Sequence, residues 1–146
     1  MAFPAHNQSL ADALAVLLRE ASRLRALAVN ARDRMAAGNV GASLPLSLLE
    51  SVRAATKEFD RISAIPGIVA YAQEQLGADI GSDFSAMNTA AKTVGAEIIA
   101  ALPKDANGYL LLETIDAQGQ RLPRQFTPQQ TAGLRASLDA LIATIE

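Results

Sequence analysis

The sequence predicts a mainly α protein: an antiparallel helical bundle with a long first helix and one β-hairpin before the C-terminal helix. Three observations predict it. Leu10, Leu14, Leu17, Ala21, Leu24, Ala28, Ala31 and Met35 follow one another at steps of four and three residues, the spacing that keeps every member on one face of a helix. The same spacing recurs at Leu48, Val52, Ala55, Phe59 and Ile62, at Phe84, Met87, Ala91, Val94 and Ile98, and at Leu134, Leu138, Leu141 and Ile145. Between the last two stripes, Tyr109 to Phe126 breaks the helical period and reads as two short extended runs about a turn.

Residues 1–8 read as an extended N-terminal arm, and residues 9–146 as a single helical domain. Ser9 is placed to cap the first helix, with Asp12 three residues on near its positive end. That helix then runs to about Ala37, some 28 residues and roughly 42 Å. It outreaches the later helices, so part of its apolar seam is expected to overhang them and invite a neighbour. Gly38 to Ser43 is a flexible break.

Ser43 or Ser47 can cap the second helix. Ile65-Pro66-Gly67 interrupts it, because proline removes a backbone donor and disfavours helical geometry in the residue before it. Pro66 can then start a shorter helix ending at Gly77. Residues 78–82 read as a turn, with Ser82 or Asp83 capping a third long helix that stops at Pro103.

Residues 104–108 form a tight turn and Asp116-Ala117-Gln118-Gly119 the hairpin turn, which sets the hairpin at about 109–126. Pro123 makes the second strand an edge. Leucines on both faces of the first strand imply that both faces are covered, one of them by another chain. In Phe126-Thr127-Pro128-Gln129-Gln130, threonine at N-cap, proline at N1 and glutamine at N3 compose a capping box for the last helix. There is no internal repeat beyond the shared heptad spacing.

At 146 residues the chain is one domain's worth, and half of it is apolar with few aromatics. Much of that half is alanine, which contributes little burial energy per residue, so a bundle built this way is a candidate for stabilisation by oligomerisation. The net charge of −2 excludes a strongly basic nucleic-acid binder. Residues 62–120 carry two Lys/Arg against seven Asp/Glu, and residues 1–61 eight against six. There is no apolar run long enough to span a bilayer and no signal-peptide pattern at the start, and the absence of cysteine excludes disulfides and thiolate chemistry.

Reaction chemistry finds no foothold. His6 is the only histidine, without the partners that a metal site or a His-based catalytic pair requires. Asp79, Gly81 and Asp83 lack the remaining ligands of a calcium loop, and Gly38 and Gly41 are not followed by the lysine of a phosphate cradle. No catalytic, cofactor-binding or metal-binding residue is assigned. The candidate contact residues are Tyr109, Leu111, Ile115 and Phe126 of the hairpin, with Arg19, Arg23 and Arg34 of the first helix as polar adjuncts. The arginine row reads as a solvated helix face, a protein interface, or a grip on nucleic-acid phosphates, in descending order.

Gly108-Tyr109-Leu110-Leu111, the Asp116 to Gly119 turn, residues 126–135, and Leu138-Asp139-Ala140-Leu141 resemble small proteins encoded in tailed-phage and prophage structural gene clusters. Residues 65–72 add to the likeness, which covers about a third of the chain. The resemblance implies a non-enzymatic virion component, made in the host cytoplasm and built into the particle. Within that class it points to a head–tail connector or adaptor acting by self-association and docking, whose partners are itself and other virion proteins. It implies no membrane and at most an indirect role for nucleic acid. A tail or baseplate accessory protein, or a bacterial cytoplasmic helical interaction or chaperone module, are the other readings.

Overall fold

The computed structural model describes residues 4–38, 40–76 and 80–145. Among these described residues five helices and two strands follow in the order α1 (Pro4–Ala36), α2 (Ser43–Ser63), α3 (Ile68–Leu76), α4 (Ile80–Ala101), β1 (Glu113–Ile115), β2 (Arg121–Pro123) and α5 (Pro128–Ile145).

α1 packs against α2 and α5, and α4 packs against the same two helices. Among the described residues α1 and α4 make no contact, nor do α2 and α5, so the four long helices form a square with those pairs on its diagonals. Neighbours run antiparallel. Asp60 of α2 meets Asn88 and Lys92 of α4, while Leu49 and Val52 lie against Gly95 further along. Gln130 at the start of α5 reaches Ala101 at the end of α4, and Gly133 lies beside Glu97.

All eight residues of the α1 seam are buried, as are the five of α2 and Met87, Ala91, Val94 and Ile98 of α4. Leu134, Leu138 and Leu141 of α5 are buried too, and Ile145 is half-buried at the helix end. The core is therefore made by the heptad stripes facing one another. Each Leu, Ile or Phe in it contributes about 1.5–3 kcal/mol of transfer free energy, several times what an alanine can.

The first helix starts earlier than the Ser9 cap predicts. Residues 4–8, assigned to an extended arm, are helical from Pro4, which is tolerated in a first turn because its missing N–H has no partner there anyway. Residues 1–3 lie outside the described residues. At 33 residues α1 is about 50 Å long, yet its seam does not overhang. α2 spans about 32 Å and α3 a further 14 Å or so, and α3 lays Ile68 and Ala72 against the far part of the bundle. The expected vacancy for a neighbour on α1 is filled by the chain's own short helix.

Other boundaries also shift. α2 begins at Ser43 behind Ala42, which provides no side-chain cap, so neither Ser43 nor Ser47 acts as one. Instead the Ala42 N–H is held by the Arg124 carbonyl at 2.8 Å. Pro66 lies two residues before α3 and does not start it; Gly67, at φ 85°, turns the chain between. α4 is helical from Ile80, which corrects the cap at Ser82 or Asp83, and Gly77 lies outside the described residues.

The segment between α4 and α5 is a small meander at the end of the bundle where α1 gives way to α2. β1 and β2 pair antiparallel in the register Glu113 to Pro123, Thr114 to Leu122 and Ile115 to Arg121. The pairing continues inward on both sides. Lys104 bridges Leu110, with the Leu111 N–H donating to the Pro103 carbonyl at 2.8 Å, and Gly41 bridges Gln125, with the Phe126 N–H donating to the Val40 carbonyl at 2.8 Å. The ribbon thus ties the α1–α2 connection to the α4–α5 connection.

Its two turns use one device, eleven residues apart. Asp105 Oδ1 accepts from the backbone N–H of Asn107 and Tyr109, and Asp116 Oδ1 from those of Gln118 and Gln120, at 2.8–3.0 Å. Gly108 (φ 84°) and Gly119 (φ 78°) take the left-handed position that a three-residue hairpin loop requires. The paired Asp-Ala-x-Gly turns correct the expectation that nothing repeats beyond the heptad spacing.

Candidate functional site

Backbone alternation sends successive side chains of a strand to opposite faces. Along 109–115, Leu110 and Leu112 turn inward and pack on the bundle core. Tyr109, Leu111, Glu113 and Ile115 therefore share the outward face. Tyr109 is 71% exposed, Ile115 69% and Leu111 37%, so three of the four predicted hairpin contacts form one solvent-facing apolar row. The expectation that both faces of this strand are covered is half met: the inner face rests on the bundle, and among the described residues nothing covers the outer one.

Phe126 corrects the fourth. It lies in the same register as the inward residues of the ribbon and is only 4% exposed, so it is core and not contact surface. Leu122, not singled out from the sequence, is 42% exposed. It lies on the inner face opposite Thr114 but near the hairpin tip, where alternation alone gave no sign of exposure.

The three arginines do not join the ribbon as a group. Arg34 is exposed near the ribbon end of α1, beside a cleft of about 340 Å³ that also meets Ser43, Ser47 and Ser51 of α2. Arg19 is 15 residues earlier, about 22 Å down the helix axis. Arg23 is held by Glu20 at 3.2 Å. Arg32 is held across the helices by Asp139 at 3.2 Å and by Asp33 at 3.3 Å. The hydrogen bond that Arg32 donates to Asp139 is the main cause raising the Arg32 pKa above its ordinary value. Much of the basic character of α1 is neutralised by the protein's own carboxylates.

A second cleft, of about 300 Å³, lies where the ribbon meets α2 and α4. Leu46, Ile99 and Leu110 line it together with Arg53, Lys104 and Tyr109, so two cations share a cleft with the exposed tyrosine. Neither cation was marked by a motif, since Arg53 comes from a different helix.

Among the described residues no three His, Cys, Asp or Glu side chains gather as a metal site would need, and no helix is long and apolar enough to cross a membrane. Compared with known proteins, the chain matches no family model, no curated protein and no solved structure.

Proposed function

We propose that this chain is a non-enzymatic assembly protein that self-associates and docks through the outward face of its β-ribbon. The observation that carries the reading is the contrast between sealed seams and an open ribbon. The bundle spends its heptad stripes on itself, while Tyr109, Leu111 and Ile115 are held in solvent on a framework of hydrogen-bonded turns. Tyrosine beside an arginine, as Tyr109 and Arg53 share one cleft, is also a side-chain pairing that protein interfaces favour.

The narrower reading is a phage virion component of head–tail connector or adaptor type, assembled in the host cytoplasm, with other virion proteins as partners. It rests on the resemblance of the C-terminal third. A tail or baseplate accessory role fits the same residues. The closed bundle also suits a bacterial cytoplasmic helical interaction or chaperone module.

Sedimentation velocity of the wild-type chain and of Ile115→Asp tests the central part. Concentration-dependent association that the substitution abolishes supports it; a monomer at every concentration contradicts self-association. Mass spectrometry of purified particles tests the narrower part, and failure to find the chain in them removes the virion reading.

A further inference from the structure

We propose that two copies of this chain join through β1, pairing antiparallel about Thr114 to make a four-stranded intermolecular sheet. This rests on the self-association reading above and names its contact.

The hairpin has two outer edges, and only one of them is suited to recruit a strand. Residues 103–105 pair with 109–111, and residues 40–42 pair with 124–126. Beyond them, among the described residues, no strand pairs with the hairpin on either side. The Arg124 N–H donates to the Leu112 carbonyl and the Asp116 N–H to the Gln120 carbonyl, so residues 112, 114 and 116 direct their backbone groups at the partner strand. Glu113 and Ile115 then direct theirs outward. The Glu113 carbonyl already accepts from Arg124 Nη2 at 3.2 Å and keeps a second lone pair. On the other side Arg121 and Pro123 face outward, and proline has no N–H to give. Only β1 offers a donor and an acceptor at each outward residue, the arrangement that recruits another strand.

Register follows from side-chain chemistry. Two-fold pairing about residue 113 sets Glu113 against its own copy, a like-charge pair that destabilises a sheet. Pairing about residue 115 sets Glu113 against residue 117, inside the hairpin turn. Pairing about Thr114 sets Glu113 against Ile115 of the second copy and Thr114 against Thr114, and uses all three residues of β1. Across the joined sheet Arg121 and Ile115 of one copy then lie in a row with Glu113 of the other. At strand spacings near 4.8 Å, Arg121 and that Glu113 are about 10 Å apart at Cα, within reach of two long side chains over Ile115. Neither residue is paired with an opposite charge within its own chain among the described residues. The symmetry forms this charge pair twice. It also leaves both outward rows of Tyr109, Leu111 and Ile115 on the same side of the sheet, doubling the surface available for docking.

The chain has no cysteine, so a single introduced one reports on one position. In the proposed register Thr114 faces its own copy as a non-hydrogen-bonded pair, with Cα atoms about 4.5 Å apart, which a disulfide bridges. Under mild oxidation Thr114→Cys is expected to crosslink about tenfold faster than Ala117→Cys, the collision control at the tip. Glu113→Pro, which removes an outward N–H and spares the intrachain ladder, weakens association. Glu113→Arg and Arg121→Glu each weaken it, and combining them restores it. If wild-type dimers form and Ile115→Asp abolishes them, while Thr114→Cys crosslinks no faster than the control, this contact is overturned and the ribbon remains the interface. A chain that is monomeric at every concentration overturns both.

Discussion

Gly95 sits in the middle of α4, buried against α2, in helical conformation. A Cβ added there lies 3.5 Å from Leu49 Cδ1 and 3.6 Å from Val52 Cγ1, ordinary van der Waals distances that ask neither neighbour to move. Gly95→Ala therefore gains the helix-propensity difference, about 0.8–1.0 kcal/mol. Burying one methyl adds up to about 0.8 kcal/mol. Because the unfolded chain already hides part of that surface, the expected net is about 1–1.5 kcal/mol. For a chain of this size that raises Tm by about 3–5 °C. Urea unfolding followed by far-ultraviolet circular dichroism measures it directly, with an unchanged slope and a higher midpoint. Gly95→Leu is the counterpart: its extra carbons cannot fit between Leu49 and Val52, and overpacking costs about 1–3 kcal/mol. If alanine destabilises as well, α2 and α4 are closer than described and the packing argument fails.

Thr131 is 9% exposed and its hydroxyl has no hydrogen-bond partner among the described residues. Thr131→Val keeps the shape and removes the desolvated oxygen, so stability is expected to rise by about 1 kcal/mol in the same unfolding assay. Thr127→Ala deletes the hydroxyl that accepts the Gln130 N–H at 3.1 Å and is expected to lower stability by about 1 kcal/mol. Phe59→Ala empties the largest fully buried side chain and costs about 3–5 kcal/mol, read as a lower urea midpoint. Ile115→Asp, at a 69% exposed site outside the core, changes monomer stability by no more than about 0.5 kcal/mol, so its effect on association is separable from folding.

The helices were legible because burial and periodicity are the same signal. Every residue of the α1 stripe is inside, and a four-three spacing has no other economical explanation in a four-helix square. The capping box was legible atom by atom: the Thr127 N–H donates to Gln130 Oε1 at 2.9 Å while the Thr127 hydroxyl accepts from the Gln130 N–H. Helix starts were harder. Serine and aspartate are strong cap residues, but Ser9 and Ser82 lie within helices that begin earlier, at Pro4 and Ile80, because a cap preference of about 1 kcal/mol does not by itself fix where a helix starts. What covers the α1 seam depends on where the chain goes after Pro66, and no local pattern says that α3 returns to the bundle. Phe126 was misjudged for a related reason. Its side depends on the ribbon's register with residues 40–42, a pairing between segments more than eighty residues apart. Tyr109, Leu111 and Ile115 needed only the alternation of a single strand, and they came out together.

Hydrogen–deuterium exchange across a concentration series tests most directly that the seams are internal and the ribbon is the working surface. Exchange is expected to slow with concentration at the outward amides of Glu113 and Ile115, while α1, α2, α4 and α5 stay unchanged. Protection that grows instead along the outer face of α1, with the ribbon unaffected, would contradict it.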